Sequence, residues 1–469
     1  MKQSYYHRYH IQTEQVTDIV PWPGRFRPTP KRLRLAIHIL KEIIRYRTKT
    51  KVIFSRPCIY GVYGRPVGGM APRYDDCVGC LRCTTEHPDW VQVYRNPKYQ
   101  HLGDSYLTPD HADAIHYEAQ TGRIPVKGAG YRGKFGGDGW DSMWTDMSEI
   151  VRPTRDGIHG REFISTVVDI GKKPSFISFD EQGIPIDNDM NIISIPIPVL
   201  FDIPPSSAES KIVFSILSQT AKETKTLALI PVRAVNEFKL LGDHIVPFVT
   251  KKDGDDLPNL AWEPRMIEMD DCDEEYYNSI QSLFPNSHLC LRLSLDGRFQ
   301  EKLLDYFNVG VGVFHLTANY HGRNVNGEFM LELIRKAHRT FMDAGIRDEV
   351  TLIGSGGIIA AEHVPKAIIC GLDAVAIDIV LPVALQATMV GECTARDTSK
   401  LCLPPKMSVE WGVKRTKNLL ASWRDQMLEI LGAMGLREVR RLRGEMGRAM
   451  LHKELEYEAF KGITGYVSE

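Results

Sequence analysis

Eight short runs rich in aliphatic and β-branched residues recur through the second half of the chain. They lie at 192–201, 226–232, 244–250, 265–271, 289–295, 312–318, 350–356 and 374–380. Amphipathic or loop-like stretches separate them. Apolar runs of this length bury both faces of a strand, and intervening helices are what parallel pairing requires. The pattern predicts an α/β fold, with the eight strands closed into a (β/α)8 TIM-type barrel. A doubly wound open sheet is the competing architecture. It favours a glycine-rich turn after the first strand, where this chain has Asp202-Ile203-Pro204-Pro205.

With 469 residues, the chain exceeds one average domain. Four segments are expected: an arm with a basic amphipathic helix at 1–57, a cysteine-bearing loop-rich segment at 58–189, the barrel at 190–395, and a helical extension at 396–469. The extension is read as two helices, about 409–432 and 437–457, with Gly435 as the stop between them. A formal net charge of −1 gives no global field for nucleic acid. No apolar run reaches transmembrane length, the first residues lack the apolar core of a signal peptide, and a cytoplasmic protein is expected.

The second constraint is Cys77-Val78-Gly79-Cys80-Leu81-Arg82-Cys83. Three thiols at this spacing turn toward one inorganic centre, and bacterial ferredoxins hold clusters with C-x2-C-x2-C-x3-C-P. Here His87-Pro88 stands where the fourth cysteine and proline would be. One iron–sulfur cluster, of the 4Fe-4S type, is expected on Cys77, Cys80 and Cys83, with Cys58 or His87 as fourth ligand. Structural zinc and plain buried thiols are the alternatives, although zinc ligand pairs are usually separated by a longer loop. Nine cysteines, an odd number with three in one cluster, favour a reducing compartment over a disulfide framework.

Charge is uneven. From Arg25 to Arg56 there are eleven Lys/Arg and one acid, Glu42. Within this stretch Leu33, Ile37, Leu40, Ile43 and Ile44 recur at helical spacing. The helix either docks this stripe on its own protein or meets a partner subunit or a membrane surface. Between Asp253 and Glu275 ten acids face one Arg265, as in a solvated loop or one that meets a basic partner. The stretch 150–161 combines turn residues with four potential cations; it either binds a carboxylate or phosphate or braces the barrel.

The second half resembles the FMN-binding barrel of the glutamate synthase family over roughly 190–450. Pro196-Ile197-Pro198-Val199-Leu200, followed by Ser207–Lys211, is similar to its first strand and helix entry. Leu289-Cys290-Leu291-Arg292-Leu293 resembles the strand carrying a flavin-facing lysine, and Leu352-Ile353-Gly354-Ser355-Gly356-Gly357-Ile358 the phosphate strand. Asn418-Leu419-Leu420 and Met434–Val439 resemble its C-terminal helices. The resemblance implies FMN, with Arg292 at the flavin N1 edge and Ser355, Gly356 and Gly357 at its phosphate. It also implies reduction of an imine formed from 2-oxoglutarate and ammonia. Past the sixth strand, Asn319, His321 and Arg323 are the candidates to orient such a carboxylate substrate. Other redox subunits or an electron-donor protein are the implied partners.

The chain departs from the family pattern at several positions. Asp378-Ile379 replaces the Gly-Thr that meets the phosphate, and Phe201-Asp202-Ile203-Pro204 replaces a Met-Ser-x-Gly element. The glycine-rich substrate loop becomes Asn319-Tyr320-His321-Gly322-Arg323-Asn324. Of a three-cysteine motif after the barrel, only Cys393 aligns; Ala387 stands at the first position and Cys402 follows an insertion. The glutamine-hydrolysing domain has no counterpart, so ammonia from glutamine by that route is not expected. These departures lead to two further expectations, a non-catalytic electron-transfer subunit that has lost FMN and a zinc-stabilised binding protein.

Overall fold

Parallel pairing of eight short strands closes the barrel, each strand pairing with the next barrel strand along the chain and the last with the first. The computed structural model describes residues 9–55, 58–63, 73–125, 137–145, 164–174, 179–184, 192–253, 256–270 and 273–465. The stretch 150–161 and most of the glycine-rich 128–137 lie outside these. The chain divides into two compact units, one formed by 18–113 and the other by 1–17 with 114–469.

In the smaller unit, β1 (Phe26–Pro30) pairs antiparallel with β2 (Val91–Arg95). Helix α1 (Arg32–Tyr46) follows β1, then α2 (Thr50–Ser55), and α3 (Arg82–Glu86) starts within the cysteine run. Around the cysteine run its core is a cluster of Leu35, Val62, Tyr63, Trp90 and Val91, with Ile39, Cys58, Cys77 and Cys83 packed against them; Ile53, Tyr99, Leu102, Leu107 and Ala112 are also buried in this unit.

In the larger unit, β3 (Met143–Thr145) pairs with β16 (Ala449–Leu451), and β4 (Val168–Ile170) with β5 (Ile193–Ile195), both antiparallel. The barrel strands are β6 (Val199–Phe201), β7 (Ala228–Pro231), β8 (Ile245–Val249), β9 (Met266–Asp270), β10 (His288–Ser294), β11 (Val313–Thr317), β12 (Thr351–Ser355) and β13 (Ala374–Ile377). A hairpin of β14 (Thr388–Met389) and β15 (Leu401–Cys402) follows. All eight predicted runs supply a barrel strand, and nearly every strand residue is buried.

Two expectations need correction. The first run, 192–201, is two strands: Pro196 and Pro198 lack the N–H that a continuous ladder needs. Its first part pairs with β4, and only Val199–Phe201 enters the barrel. The stretch 437–457 is not one helix. Gly444 and Gly447 interrupt the pattern, leaving single turns at Val439–Leu442 and Met446–Arg448, then β16 and the helix His452–Phe460. The long helix Val409–Ala433 forms as expected, with the Ser408 side chain accepting the N–H of Trp411 at 3.2 Å.

At the N-terminal end of β12 and β13 the barrel is held by Arg347, only 2% exposed. Its guanidinium donates to the carbonyls of Val350 (2.8 Å) and Gly371 (2.7 Å) and to Asp373 Oδ2 (2.8 Å). Asp373 also accepts from the Leu352 N–H at 2.8 Å and from Arg443 at 3.0 Å. Removing one partner of such a buried pair strands the other charge, so Arg347→Ala is expected to cost about 3–5 kcal/mol. Urea denaturation of the two proteins measures this; a loss below about 1 kcal/mol, the value of a surface pair, contradicts the assignment.

Candidate functional site

Two places gather reactive side chains, one in each unit. In the smaller unit Cys58, Cys77, Cys80 and Cys83 line one small pocket with Pro28, Tyr63 and Leu81. The run Cys77–Cys83 reaches this arrangement through two left-handed residues. Gly79 has φ +68°, and a Cβ there would lie 2.4 Å from the Phe26 ring. Leu81 has φ +59°, which costs a residue with a side chain about 1–3 kcal/mol. The Leu81 carbonyl is fastened by the hydroxyls of Thr84 (2.6 Å) and Thr85 (3.0 Å) and by the Thr85 N–H (3.0 Å). All three cysteines of the run line the same pocket.

The four thiols interact electrostatically. Burial and the neighbouring sulfurs push Cys83 up to about 11, against an N–H bond from Thr84. Burial also raises Cys77, with the Gly79 N–H acting in the opposite direction. These N–H groups are placed to stabilise thiolates once a cation neutralises the cluster. Among the described residues, no three of the four sulfurs lie within 4.8 Å of one another. His87 does not join them. Its ring stacks on Trp90 with centroids 5.1 Å apart and lies 4.4 Å from the His38 ring.

The other gathering is at the C-terminal end of the barrel, where TIM-barrel chemistry is built. Arg292 on β10 reaches across the interior. Its Nε donates to Glu268 Oε1 at 2.6 Å, its other arm pairs with Asp202, and the guanidinium lies 5.2 Å from the Phe248 ring centre. His315 Nδ1 lies 2.9 Å from Glu268, and its Nε2 is 3.9 Å from Asp202. In register, Arg292 stands beside His315, and Cys290 beside Glu268.

Burial works against the charge on Arg292, but Asp202 and Glu268 raise its pKa above the ordinary value. Burial also opposes ionisation of Asp202. Arg292, His315, the Ile203 N–H and the Ser355 hydroxyl outweigh it and hold Asp202 below the usual carboxylate range. Asp378 lacks a cation of its own. Burial, then the Asp202 charge, push it up to about 7, although it accepts the Ile379 N–H at 2.5 Å. Tyr320 is raised by burial and by Asp378 and Asp202. The Tyr320 hydroxyl and His315 Nε2 are buried, with no hydrogen-bond partner among the described residues.

The other predicted residues have mostly structural roles. Asn319 Oδ1 caps its own loop, accepting the N–H groups of His321 (3.0 Å) and Arg323 (2.8 Å). Arg323 donates to the Gly327 carbonyl at 2.7 Å and lies over Phe329. His321 Nε2 is 3.8 Å from Glu392. Gly356 has φ +98°, and a Cβ there would meet the Ala318 and Asn319 carbonyls at 2.6 Å. Gly357 also has positive φ, +72°. Cys393 is buried, with Sγ 3.7 Å from the Lys400 carbonyl, and Cys402 is exposed on β15. Sequence reasoning missed Glu268; the available signal was an acid inside the otherwise apolar Met266-Ile267-Glu268-Met269.

Asp378 binds its proton more tightly folded than unfolded. Its contribution to stability is therefore complete below the ordinary carboxylate range and is lost as pH rises toward 7. In Asp378→Asn the fall in unfolding free energy between about pH 4 and about pH 7 is expected to be shallower than in the native protein. Denaturation at a series of pH values checks this, and parallel curves would refute it.

Comparison with known proteins bears on both sites. Residues 317–437 match the family model described as the conserved region in glutamate synthase. An archaeal-type glutamate synthase (NADPH) of Dehalococcoides mccartyi is 23% identical over 434 residues, covering 79% of this chain and 86% of that protein. An archaeal glutamate synthase (NADPH) of Archaeoglobus fulgidus is 22% identical over 506 residues, covering 91% and 98%. The Methanocaldococcus jannaschii protein of the same description is 34% identical over 129 residues, 25% of each chain. Among solved structures, mandelate oxidase with (S)-2-phenylpropionate matches at TM-score 0.41 and 12% identity, covering 64% of this chain and 97% of that one.

Proposed function

The chain belongs to the glutamate synthase family, and from that premise we propose that it is an iron–sulfur oxidoreductase or the electron-transfer subunit of one. The single observation that carries the reading is the convergence of Cys58, Cys77, Cys80 and Cys83 on one pocket. Four thiolates are the donor set of a 4Fe-4S cluster, which supplies one-electron transfer when bound. Cys58 is the fourth ligand in this reading, and His87, engaged with Trp90 and His38, is not.

The barrel does not fit an FMN phosphate. The strand-end N–H groups of Ile203 and Ile379 already donate to the carboxyls of Asp202 (2.7 Å) and Asp378 (2.5 Å). Both acids are buried, and a phosphate beside them would meet the Asp202 charge in a weakly screened interior. Arg292, which would have faced a flavin edge, is neutralised by two carboxylates. In this reading the thiol site, not the barrel, carries the redox chemistry.

A second reading keeps catalysis in the barrel: 2-oxoglutarate and ammonia reduced to glutamate, as the relatives' description suggests. The orphaned polar atoms of His315 and Tyr320 favour it, because such atoms are what a small polar substrate would satisfy. A zinc-stabilised binding protein is the remaining alternative.

Anaerobic purification with iron, acid-labile sulfide, zinc and released flavin quantified on one sample decides among them. Iron and sulfide without flavin are expected. Stoichiometric flavin with NADPH-dependent glutamate formation would transfer the chemistry to the barrel, and zinc without iron would end the redox account. Cys58→Ser and Cys80→Ser are expected to lose most of the iron and visible absorption, whereas His87→Ala keeps both. Iron loss in His87→Ala with retention in Cys58→Ser would reverse the ligand assignment.

A further inference from the structure

Helix α1 is mounted the wrong way round for an ordinary amphipathic helix. Leu33, Ile37, Leu40 and Ile44 follow the i, i+4, i+7, i+11 spacing of one stripe. They are 76%, 46%, 57% and 70% exposed. The side packed on the protein is the opposite one: Leu35 and Glu42 are buried, and Leu35 and Ile39 join the core that holds Cys58, Cys77 and Cys83. The helix therefore turns its one acid inward and its apolar stripe outward. Arg32, Arg34, Lys41 and Arg45 on the helix and Lys31 and Arg47 at its ends are all exposed, Arg34 being paired with Asp89 at 3.3 Å.

We infer that α1 is an in-plane anchor for an anionic lipid surface. A row of aliphatic side chains flanked by cations is the composition that lies at a bilayer interface. The stripe enters the acyl boundary while Lys and Arg stay at the headgroups. Charge selects this occupant. A second copy of the helix would bring two sets of six cations together without an exposed acid on α1 to offset them. An anionic membrane matches the cations and accepts a convex ridge that has no groove of its own. Because the inner side of α1 packs on the thiol core, docking would carry that core to the membrane surface. The lipid inference itself depends on the helix alone and not on what the thiols hold.

The test is co-sedimentation of the full-length protein with phosphatidylglycerol-rich vesicles and with pure phosphatidylcholine vesicles. At low salt, binding to the anionic vesicles is expected to be at least about tenfold stronger and to weaken as salt is raised. Leu40→Asp/Ile44→Asp alters exposed positions only and is expected to abolish binding with unchanged circular dichroism and iron content. Lys41→Glu/Arg45→Glu is expected to remove the preference for anionic lipid while leaving the apolar row intact. Failure of the native protein to bind anionic vesicles would overturn the inference, as would undiminished binding by Leu40→Asp/Ile44→Asp. A dimer that dissociates in that double variant, without vesicle binding, would assign the stripe to a second copy instead.

Discussion

Arg292 is the charge around which the barrel interior is organised. A guanidinium cannot shed its proton, so placing it inside a ring of apolar strands obliges the fold to supply anions and hydrogen-bond acceptors beside it. Asp202, at the end of β6, and Glu268, inside β9, do so from opposite sides. Glu268 in turn engages His315, and Asp202 takes the Ile203 N–H and the Ser355 hydroxyl. The network thus ties β6, β9, β10, β11 and β12 together through their side chains. Asp378 is raised first by its burial and then by the Asp202 charge, with Arg292 acting in the opposite direction.

The small unit solves a different problem. Beside the apolar cluster of Leu35, Val62, Tyr63, Trp90 and Val91, the cysteine run is ordered by local devices: the Phe26 ring closed over Gly79, and the Thr84 and Thr85 hydroxyls on the Leu81 carbonyl. A group bound to the folded state of such a loop would add directly to its stability. Cys58, Cys77 and Cys83 are part of the packing of the unit, while Cys80 is exposed beside them.

Much of this was legible in the sequence. Long apolar runs give all eight barrel strands because double burial leaves a strong, simple signature. The cysteine run announced a site for the same kind of reason: thiols at two-residue spacing leave few other uses. Legibility failed where the outcome depends on distant partners. Nothing local distinguishes Cys58 from His87 as a neighbour of the run; the fold does so by packing Cys58 on the same core and stacking His87 on Trp90. Glu268 reads as a surface acid until Arg292 and His315 are brought beside it. The stripe of α1 shows the converse: its period was visible, but which side faces the protein was not. Glu42 and Leu35, rather than the more numerous isoleucines, form the seat.

The aspartates at the barrel mouth bear on how such a chain retains its fold. Backbone N–H groups at strand ends need an acceptor when they are buried, whether it comes from a bound anion or from the chain. Asp202 and Asp378 provide one covalently, each bonding the N–H of the next residue. A mouth built this way does not require a phosphate to be complete, so the barrel can fold without one. The same substitution has an electrostatic cost, because two acids at adjacent strand ends cannot both ionise freely. Arg292 keeps Asp202 charged, and the strain of the pair falls on Asp378, which holds a proton near neutral pH. A carboxyl in that state is a donor as well as an acceptor. The barrel thus carries, at its open end, a buried group able to give up a proton.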